Sequence, residues 1–217
     1  MDYKEARKHM VDSQVRPNDV TDLRIQRAFE VTPREIFLPA ELKPQAYVDR
    51  EVAYAPDRSM ISARDFSKLL AALEIEPGDL VLDVACGSGY SSAILAQLSE
   101  MVVAIENDET LSAKAQDNWG QIGVVNAAVV NADPVIGAPK QGPFDAIVIA
   151  GVIEVEPSSL LAQLKDGGRL GAILRRGDVA KGVIWRRSGS AFGLTEAFDA
   201  AARRTLKGFT RPKAFVF

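Results

Sequence analysis

Three acidic side chains, Asp83, Glu106 and Asp133, stand at or near the ends of three successive apolar segments of the sequence. Two residues after the first of them begins a cluster of small residues, ACGSG (85–89). The glycines in this cluster lack a Cβ, so the backbone can take positive φ angles and approach a ligand closely. In an open parallel sheet the ligand lies outside the carboxyl ends of the strands. The sequence therefore predicts a ligand site bordered by three carboxylates.

The charges of these side chains indicate which ligand the turn binds. A carboxylate at Asp83 would repel a pyrophosphate but would attract the ammonium group of a methionine moiety. Glu106 lies about 20 residues beyond the turn, where a carboxylate can accept both ribose hydroxyl hydrogens. Asp133 is placed to accept an adenine amino proton. In chain order the three match the ammonium, ribose and adenine of S-adenosyl-L-methionine, which is the predicted cofactor.

Each carboxylate also has a structural alternative. Asp83 can cap the following helix, and Asp133 can begin a turn before Pro134. Glu106 can pair with Lys114, and a nicotinamide dinucleotide would use a carboxylate at Glu106 in the same way as S-adenosylmethionine does. The dinucleotide fingerprint requires a third glycine, however, and the stretch GSGYSS (87–92) ends in serine.

The composition excludes several classes of chemistry. One histidine, His9, and one cysteine, Cys86, allow neither a histidine-based triad nor an internal disulfide nor a multi-cysteine metal site. Cys86 lies inside the turn, where it is expected to be a small buried residue rather than the nucleophile that cytosine methylation needs. The segment AGVI (150–153) lacks the polar motif used for methylating adenine amino groups. No metal is expected.

The overall charge bears on partners and location. With 26 basic and 29 acidic residues the net charge is -3, so no global field would attract a nucleic acid or an anionic membrane. No apolar stretch approaches the roughly 18 residues of a membrane-spanning helix, and the start MDYKEARKHM does not resemble a signal peptide. We therefore expect a cytoplasmic protein that binds no nucleic acid and no membrane.

The first 76 residues are predicted to form a helical extension. Asn18-Asp19 can cap a helix that runs through Leu23 and Phe29 and stops before Thr32-Pro33. A second helix is indicated by the spacing of Phe66, Leu69, Leu70 and Leu73, which places one apolar stripe on its surface. The break EPGD (76–79) follows. We expect residues 1–76 to cap the acceptor site and residues 77–217 to form the cofactor-binding core.

Beyond the break, short apolar runs alternate with helical segments. Such runs predict a doubly wound, mostly parallel α/β sheet of the Rossmann-like type. The predicted parallel strands are 80–84, 101–105, 127–130, 144–150 and 169–174, with helices at 108–119 and 157–164. The runs 183–187, 192–198 and 213–217 lack clear intervening helices, so they predict antiparallel C-terminal strands.

Seven short motifs follow one another along nearly the whole chain. They are IQRAFEVTPREIFLP (25–39), YVD (47–49), PGDLVLD (77–83), GSGY (87–90), ADPVIG (132–137), PFDAI (143–147) and LKDGGRL (164–170). The glycine turn alone is shared with most methyltransferases, whereas the ordered set is specific. Together the motifs resemble those of the protein-L-isoaspartate O-methyltransferase family.

The resemblance implies a carboxyl O-methyltransferase that uses S-adenosylmethionine and acts on L-isoaspartyl residues of damaged proteins. Ser62, in the stretch MIS (60–62), matches the family's active-site serine, which would position the substrate carboxylate; it can also cap the helix that follows. The cofactor contacts expected by charge and by resemblance come from Asp83, Ala85, Gly87, Ser88, Gly89, Glu106, Asn107, Ala132 and Asp133.

The departures from the family pattern lie mainly on the acceptor side. Arg64 stands where the family has a proline, and it is either a substitute carboxylate clamp or an exposed first-turn residue. APDRS (55–59) replaces a glycine-x-glycine-glutamine segment, while Ala85, Ala132 and Pro134 replace glycines. Two alternatives therefore stay open, a methyltransferase of another acceptor and a non-catalytic homologue that binds the cofactor or a partner protein.

Overall fold

A seven-stranded sheet forms the centre of the protein, whose computed structural model describes residues 2–212. The strands of this sheet are β3 Leu80–Val84, β4 Met101–Glu106, β5 Ala127–Asn131, β6 Phe144–Ile153, β7 Leu164–Arg176, β8 Val179–Ser188 and β9 Ala191–Asp199. They lie in the order β5-β4-β3-β6-β7-β8-β9. Strands β3 to β7 pair in parallel and the last two pair antiparallel. This architecture confirms the predicted Rossmann-like fold with antiparallel C-terminal strands.

The helices flank the sheet and start at side-chain caps where the sequence provides them. They are α1 Tyr3–Met10, α2 Leu23–Val31, α3 Ala63–Leu73, α4 Tyr90–Leu95, α5 Glu109–Ile122 and α6 Ser158–Leu161. Ser62 caps α3 by accepting a bond from the Asp65 amide, and Asp108 caps α5 in the same manner. Within residues 2–212, no helix combines the length and the apolar character needed to cross a membrane.

The central strands are buried because both faces of the sheet are covered. Val81 points into an apolar cluster that includes Phe29 and Phe66 of the N-terminal region. Its neighbour Leu82 points into a second cluster, which contains Leu160 of α6. The residues before the sheet thus share the first cluster with one face of the sheet. A bond from the Ser88 hydroxyl to the Phe37 carbonyl places part of this N-terminal segment beside the turn that follows β3.

The N-terminal region differs from the prediction in two places. Asn18 and Asp19 do not cap α2, because Asp22 does so through its bond from the Arg24 amide at 2.8 Å. In addition, residues 52–60 form a β-hairpin that was not predicted from the sequence. Its strands are β1 Val52–Ala55 and β2 Arg58–Met60. This hairpin is a separate two-stranded sheet.

Several element boundaries also differ from those predicted. Helix α6 ends at Leu161, because Leu164 pairs with Phe144 of β6 and so begins β7 earlier than expected. Helix α5 continues to Ile122 and is ended by Gly123, whose φ is 71°. The predicted strand at 213–217 lies outside the described residues.

Candidate functional site

The turn after β3 has the backbone that the sequence predicted. Ala85, Gly87 and Gly89 have positive φ angles of 58°, 57° and 93°. The turn is held firmly, since the Ser88 hydroxyl donates to the Phe37 carbonyl at 2.6 Å and the Trp119 indole donates to the Gly89 carbonyl at 2.8 Å. A Cβ at Gly89 would overlap the Trp119 ring, so only glycine fits there.

Glu106 ends β4 beside this turn and is completely buried. One carboxylate oxygen, Oε2, accepts bonds from the Gly87 amide at 2.9 Å and from Arg58 Nε at 2.8 Å. The other, Oε1, accepts from the amides of Asn107 and Asp108 at 2.9 and 3.1 Å and from Arg58 Nη2 at 2.5 Å. Both oxygens of the carboxylate predicted to bind ribose are therefore fully occupied by groups of the chain itself.

Arg58 belongs to β2 and lies over Glu106 as a bidentate, buried ion pair with side-chain exposures of 8% and 0%. Burial is the largest single influence and lowers the pKa of Arg58, but the hydrogen bond to Glu106 and the negative charge of that carboxylate, with smaller contributions from other groups, together raise the pKa of the guanidinium. Arg58 Nη2 also donates to the Asn107 side-chain oxygen at 2.9 Å. Arg58, and not Lys114, is therefore the cation that pairs with Glu106 when no ribose is bound.

Tyr54 of β1 fills the space directly above the glycine turn. Its hydroxyl accepts a bond from the Ser88 amide at 3.3 Å, and a Cβ at Gly87 would overlap that hydroxyl. Burial raises the pKa of Tyr54 to about 12, so the phenol stays protonated at physiological pH. The close approach that glycine permits at Gly87 is thus used here by a side chain of the protein.

Asp83 lies beneath the turn and is completely buried. Its Oδ2 accepts bonds from the hydroxyls of Ser91 and Ser92, both at 2.6 Å, while its Oδ1 has no partner among the described residues. Burial raises the pKa of Asp83 to about 6; the serine hydroxyls oppose this rise and the charge of Glu106 adds to it. Asp83 is therefore a carboxylate with one unused oxygen near the turn.

The hairpin divides the space around the turn into two parts. On one side is a small cavity of about 30 Å³ whose walls include Tyr54, Ala85 and Cys86. On the other side is an open groove of about 420 Å³, which Arg58 and Asp133 border. Asn107 also lines this groove, whereas Ala132 packs against the apolar cluster that contains Leu160. Asp133 begins the turn after β5, since it accepts the Val135 amide at 2.9 Å.

Arg34 is a buried cation that was not among the site residues predicted from the sequence. Its side chain is 1% exposed, with Nε donating to the Ala46 carbonyl at 2.7 Å and Nη2 to the Ile61 carbonyl at 2.6 Å. Nη1 has no hydrogen-bond partner in residues 2–212, and neither has the hydroxyl of Tyr90. The guanidinium carbon lies 4.8 Å from the centre of the Tyr90 ring. Both side chains line the small cavity, which therefore presents unused donors to an anion.

Ser62 and Arg64 sit at the start of α3 rather than in the cavity walls. Ser62 is 3% exposed and caps the helix through the Asp65 amide at 3.1 Å. Arg64 donates to the Asn18 side chain, to Asp65 and to the Asp199 carbonyl, so its guanidinium ties surface segments together. Arg64 therefore does not act as a carboxylate clamp in this arrangement.

We expect the Ser62→Ala variant to lose about 1 kcal/mol of stability, the usual contribution of a helix cap. Its turnover should fall severalfold, because the cap also fixes the neighbouring Ile61 carbonyl that holds Arg34. Affinity for S-adenosylhomocysteine should stay close to wild type. Chemical denaturation, steady-state kinetics and calorimetry measure the three quantities, with Ser62→Thr as the control that keeps a hydroxyl. Unchanged turnover would show that the Ser62 cap does not position Arg34 for the reaction.

The site residues that the sequence reading missed come from the N-terminal 76 residues. Arg34 lies within one of the recognised motifs, and Tyr54 and Arg58 lie in or beside the segment that departs from the family pattern. The sequence shows that residues 55–59 differ from the family pattern, but it does not show that Arg58 pairs with Glu106. Among residues 2–212 there is no cluster of three or more histidine, cysteine, aspartate or glutamate side chains that could hold a metal ion.

Comparison with protein families gives one clear match. The model of the protein-L-isoaspartate(D-aspartate) O-methyltransferase family matches residues 5–178. Protein-L-isoaspartate O-methyltransferase 2 of Shewanella sediminis is 35% identical over 168 residues, which are 77% of this chain and 69% of the relative. The Herpetosiphon aurantiacus protein-L-isoaspartate O-methyltransferase is 34% identical over 168 residues, 77% of this chain and 75% of its own length.

Comparison with solved structures gives the same fold. A protein-L-isoaspartate O-methyltransferase superposes with a TM-score of 0.80 at 21% identity, over 93% of this chain and 66% of the other. This chain therefore spans slightly less than two thirds of that relative. A Plasmodium falciparum protein assigned to the same activity, solved in complex with S-adenosyl-L-homocysteine, gives a TM-score of 0.75 at 18% identity, over 93% and 98% of the two chains.

Proposed function

The chain belongs to the protein-L-isoaspartate(D-aspartate) O-methyltransferase family, and from this premise we propose that it is an S-adenosylmethionine-dependent carboxyl O-methyltransferase acting on L-isoaspartyl residues of damaged proteins. The observation that carries the proposal beyond family membership is the placement of two buried carboxylates, Asp83 and Glu106, on either side of one positive-φ turn. This placement suits a cationic nucleoside ligand better than a phosphate.

The groups that S-adenosylmethionine needs are present in the chain. Asp83 offers an unpartnered oxygen for an ammonium group, Glu106 offers a carboxylate for ribose hydroxyls, and the groove beside Asp133 offers room for adenine. In the arrangement described, however, Glu106 and the space above Gly87 are taken by Arg58 and Tyr54. The residues therefore fit the cofactor only when these two side chains have moved.

The reaction needs little proton chemistry from the protein. When bound, the cofactor supplies a methyl group already activated by a positively charged sulfur. A carboxylate acceptor is ionised at pH 7 and needs no general base, so the lack of a histidine in the site is no obstacle. The contribution left to the protein is alignment and the exclusion of bulk water, which can be worth roughly 7 to 11 kcal/mol.

We assign the orientation of the acceptor carboxylate to Arg34. Burying a cation without a counter-charge is costly, and Arg34 is satisfied by two carbonyls while one of its terminal nitrogens stays unpaired. A guanidinium binds carboxylates through paired, charge-assisted hydrogen bonds. With the hydroxyl of Tyr90 beside it, Arg34 offers such a site on the methionine side of the turn. Arg34 comes from the N-terminal segment, which supports our proposal that residues 1–76 form the acceptor side and residues 77–217 the cofactor side.

We expect Arg34→Met to raise the KM for an isoaspartyl peptide about 10- to 150-fold, the range for losing charge-assisted hydrogen bonds of about 1.5–3 kcal/mol. S-adenosylhomocysteine affinity should change less than twofold. Arg34→Lys should recover only part of the loss, because an ammonium lacks the planar fork. Arg64→Ala is the matched control and should keep the wild-type KM. An equal rise in KM for Arg34→Met and Arg64→Ala would point to general loosening instead.

The proposed function is tested by radiolabelled methyl transfer to an isoaspartyl peptide, with the matching aspartyl peptide as control. We expect incorporation into the isoaspartyl peptide only. One alternative is favoured by a specific observation, the occupation of the nucleoside site by Tyr54 and Arg58. Binding of S-adenosylhomocysteine without transfer to either peptide would refute the isoaspartyl assignment and leave a non-catalytic cofactor-binding member or a methyltransferase of another acceptor.

The location and partners form part of the same proposal. We propose a cytoplasmic protein whose partners are isoaspartyl-containing proteins. A single cysteine gives no internal disulfide, which suits a reducing compartment. The net charge of -3 supplies no general attraction to nucleic acids or anionic membranes.

A further inference from the structure

We propose that the β1–β2 hairpin is an intramolecular occupant of the nucleoside site, so that the closed hairpin and a bound S-adenosyl ligand exclude each other. The identity of the ligand rests on the proposed function, but the exclusion follows from the contacts of two side chains. Arg58 holds the carboxylate that would bind ribose, and Tyr54 holds the space above the turn.

The contacts of Arg58 are the first step. Glu106 receives five hydrogen bonds, three from backbone amides and two from Arg58. A carboxylate has about four lone-pair sites, so ribose hydroxyls cannot be added to this set. The three amides belong to Gly87 in the turn and to Asn107 and Asp108 just after β4. These segments are continuous with strands of the main sheet and stay in place. Arg58 is therefore the partner that must leave when a ribose binds.

The position of Tyr54 is the second step. Its hydroxyl lies where a Cβ of Gly87 would be and accepts the Ser88 amide at 3.3 Å. A glycine at this place in a nucleoside-binding turn allows the ligand to approach the main chain. In this structure the Tyr54 side chain lies against the main chain at Gly87, where the ligand would lie. A ligand bound at the turn and Tyr54 would therefore compete for the same space.

The shape of the surroundings is the third step. The cavity that contains Arg34 and the groove that contains Asp133 lie on the two sides of the hairpin. A ligand with an amino-acid end and an adenine end must reach both sides at once. The cavity of about 30 Å³ is several times smaller than a cavity of roughly 150 Å³ that holds one benzene molecule, so it is too small for the amino-acid end of the ligand while Tyr54 is in place. Moving Tyr54 and Arg58 would join the two spaces into one.

The tip of the hairpin can move without disturbing the main sheet. Its two strands pair only with each other, and the register is irregular between Ala53 and Ala55, the residues on either side of Tyr54. Polar contacts outside the nucleoside site also hold the hairpin. Glu51 accepts hydrogen bonds from the Ser59 hydroxyl and from the Arg203 amide. Arg204 donates to the Pro56 carbonyl at 2.9 Å. Val52 and Met60, at the base of the hairpin, are buried in the apolar cluster. Only the tip that carries Tyr54 and Arg58 needs to move, and that movement breaks no strand pairing of the main sheet.

The proposal is tested by calorimetric titration of S-adenosylhomocysteine into the full-length protein and three variants. Arg58→Gly removes the occupant of the carboxylate and should tighten binding at least tenfold. Tyr54→Phe removes the hydroxyl above Gly87 and should tighten binding about threefold. Ala53→Gly places a glycine at an exposed position of the same hairpin that borders neither space, and it should stay within twofold of wild type. Thermal melting shows which variants remain folded.

Each outcome decides the question. Arg58→Gly binding no more tightly than wild type would overturn the proposal, because it shows no competition. An equal gain in Ala53→Gly would overturn it too, because it shows only a more flexible hairpin. Absence of binding in every folded variant would overturn it as well. If Arg58→Gly does not fold, Tyr54→Phe decides by the same comparison. Tighter binding without methyl transfer would leave the occupant proposal intact and refute only the proposed function.

Discussion

The Glu106→Gln variant is expected to lose about 3 to 5 kcal/mol of unfolding free energy, the range for removing one partner of a buried ion pair. The substitution keeps the shape of the side chain but leaves Arg58 buried without a counter-charge. It also places an amide NH₂ group against hydrogen-bond donors in either orientation. At Oε2 these donors are Gly87 and Arg58, and at Oε1 they are Asn107, Asp108 and Arg58. Urea denaturation monitored by circular dichroism measures the loss.

The control for this prediction is Glu109→Gln, an exposed glutamate three residues further along the chain, which should change stability by less than about 0.5 kcal/mol. A double variant, Arg58→Met with Glu106→Gln, removes the stranded cation and should be more stable than Glu106→Gln alone. A small loss in Glu106→Gln, equal to that of Glu109→Gln, would mean that the pair is not buried in solution. The hairpin would then stand open in the free protein.

The second large effect is expected in the pH dependence of an Asp83→Asn variant. Asp83 has a pKa of about 6 in the fold against a usual value of 3.8, because burial favours the neutral acid. The stability that comes from this difference is complete below about pH 4 and is lost as the pH rises through 6. Two pKa units correspond to about 3 kcal/mol. The stability of wild type relative to Asp83→Asn should therefore fall by about that amount between pH 4 and pH 8.

The measurement is urea denaturation of both proteins at several pH values, with Asp117→Asn, at an exposed position of α5, as the control. The Asp117 variant should follow the wild-type pH profile throughout. A constant difference between wild type and Asp83→Asn would show that Asp83 titrates at its ordinary value. The same titration bears on the ligand, because Asp83 attracts an ammonium group only when ionised, and S-adenosylhomocysteine affinity should rise between pH 5 and pH 7.

The sequence by itself determined the sheet and the turn, because these depend on local patterns. The apolar runs that predicted β3 to β9 are buried strands or edges of the sheet, and the small residues at 85–89 do take the positive φ angles that glycine permits. The capping of α3 by Ser62 was equally local, since the cap and the amide it accepts are three residues apart. The ordered motifs likewise predicted the family to which the chain belongs.

The tertiary structure decided which groups surround the turn, because those pairings join residues far apart in the chain. Glu106 was expected to meet a ribose or Lys114, but it meets Arg58, 48 residues away. Tyr54 reaches Ser88 across 34 residues, and Arg34 reaches Ile61 across 27. Tertiary packing determines which counter-charge lies beside a buried charge, and the spacing of residues along the sequence does not predict that partner.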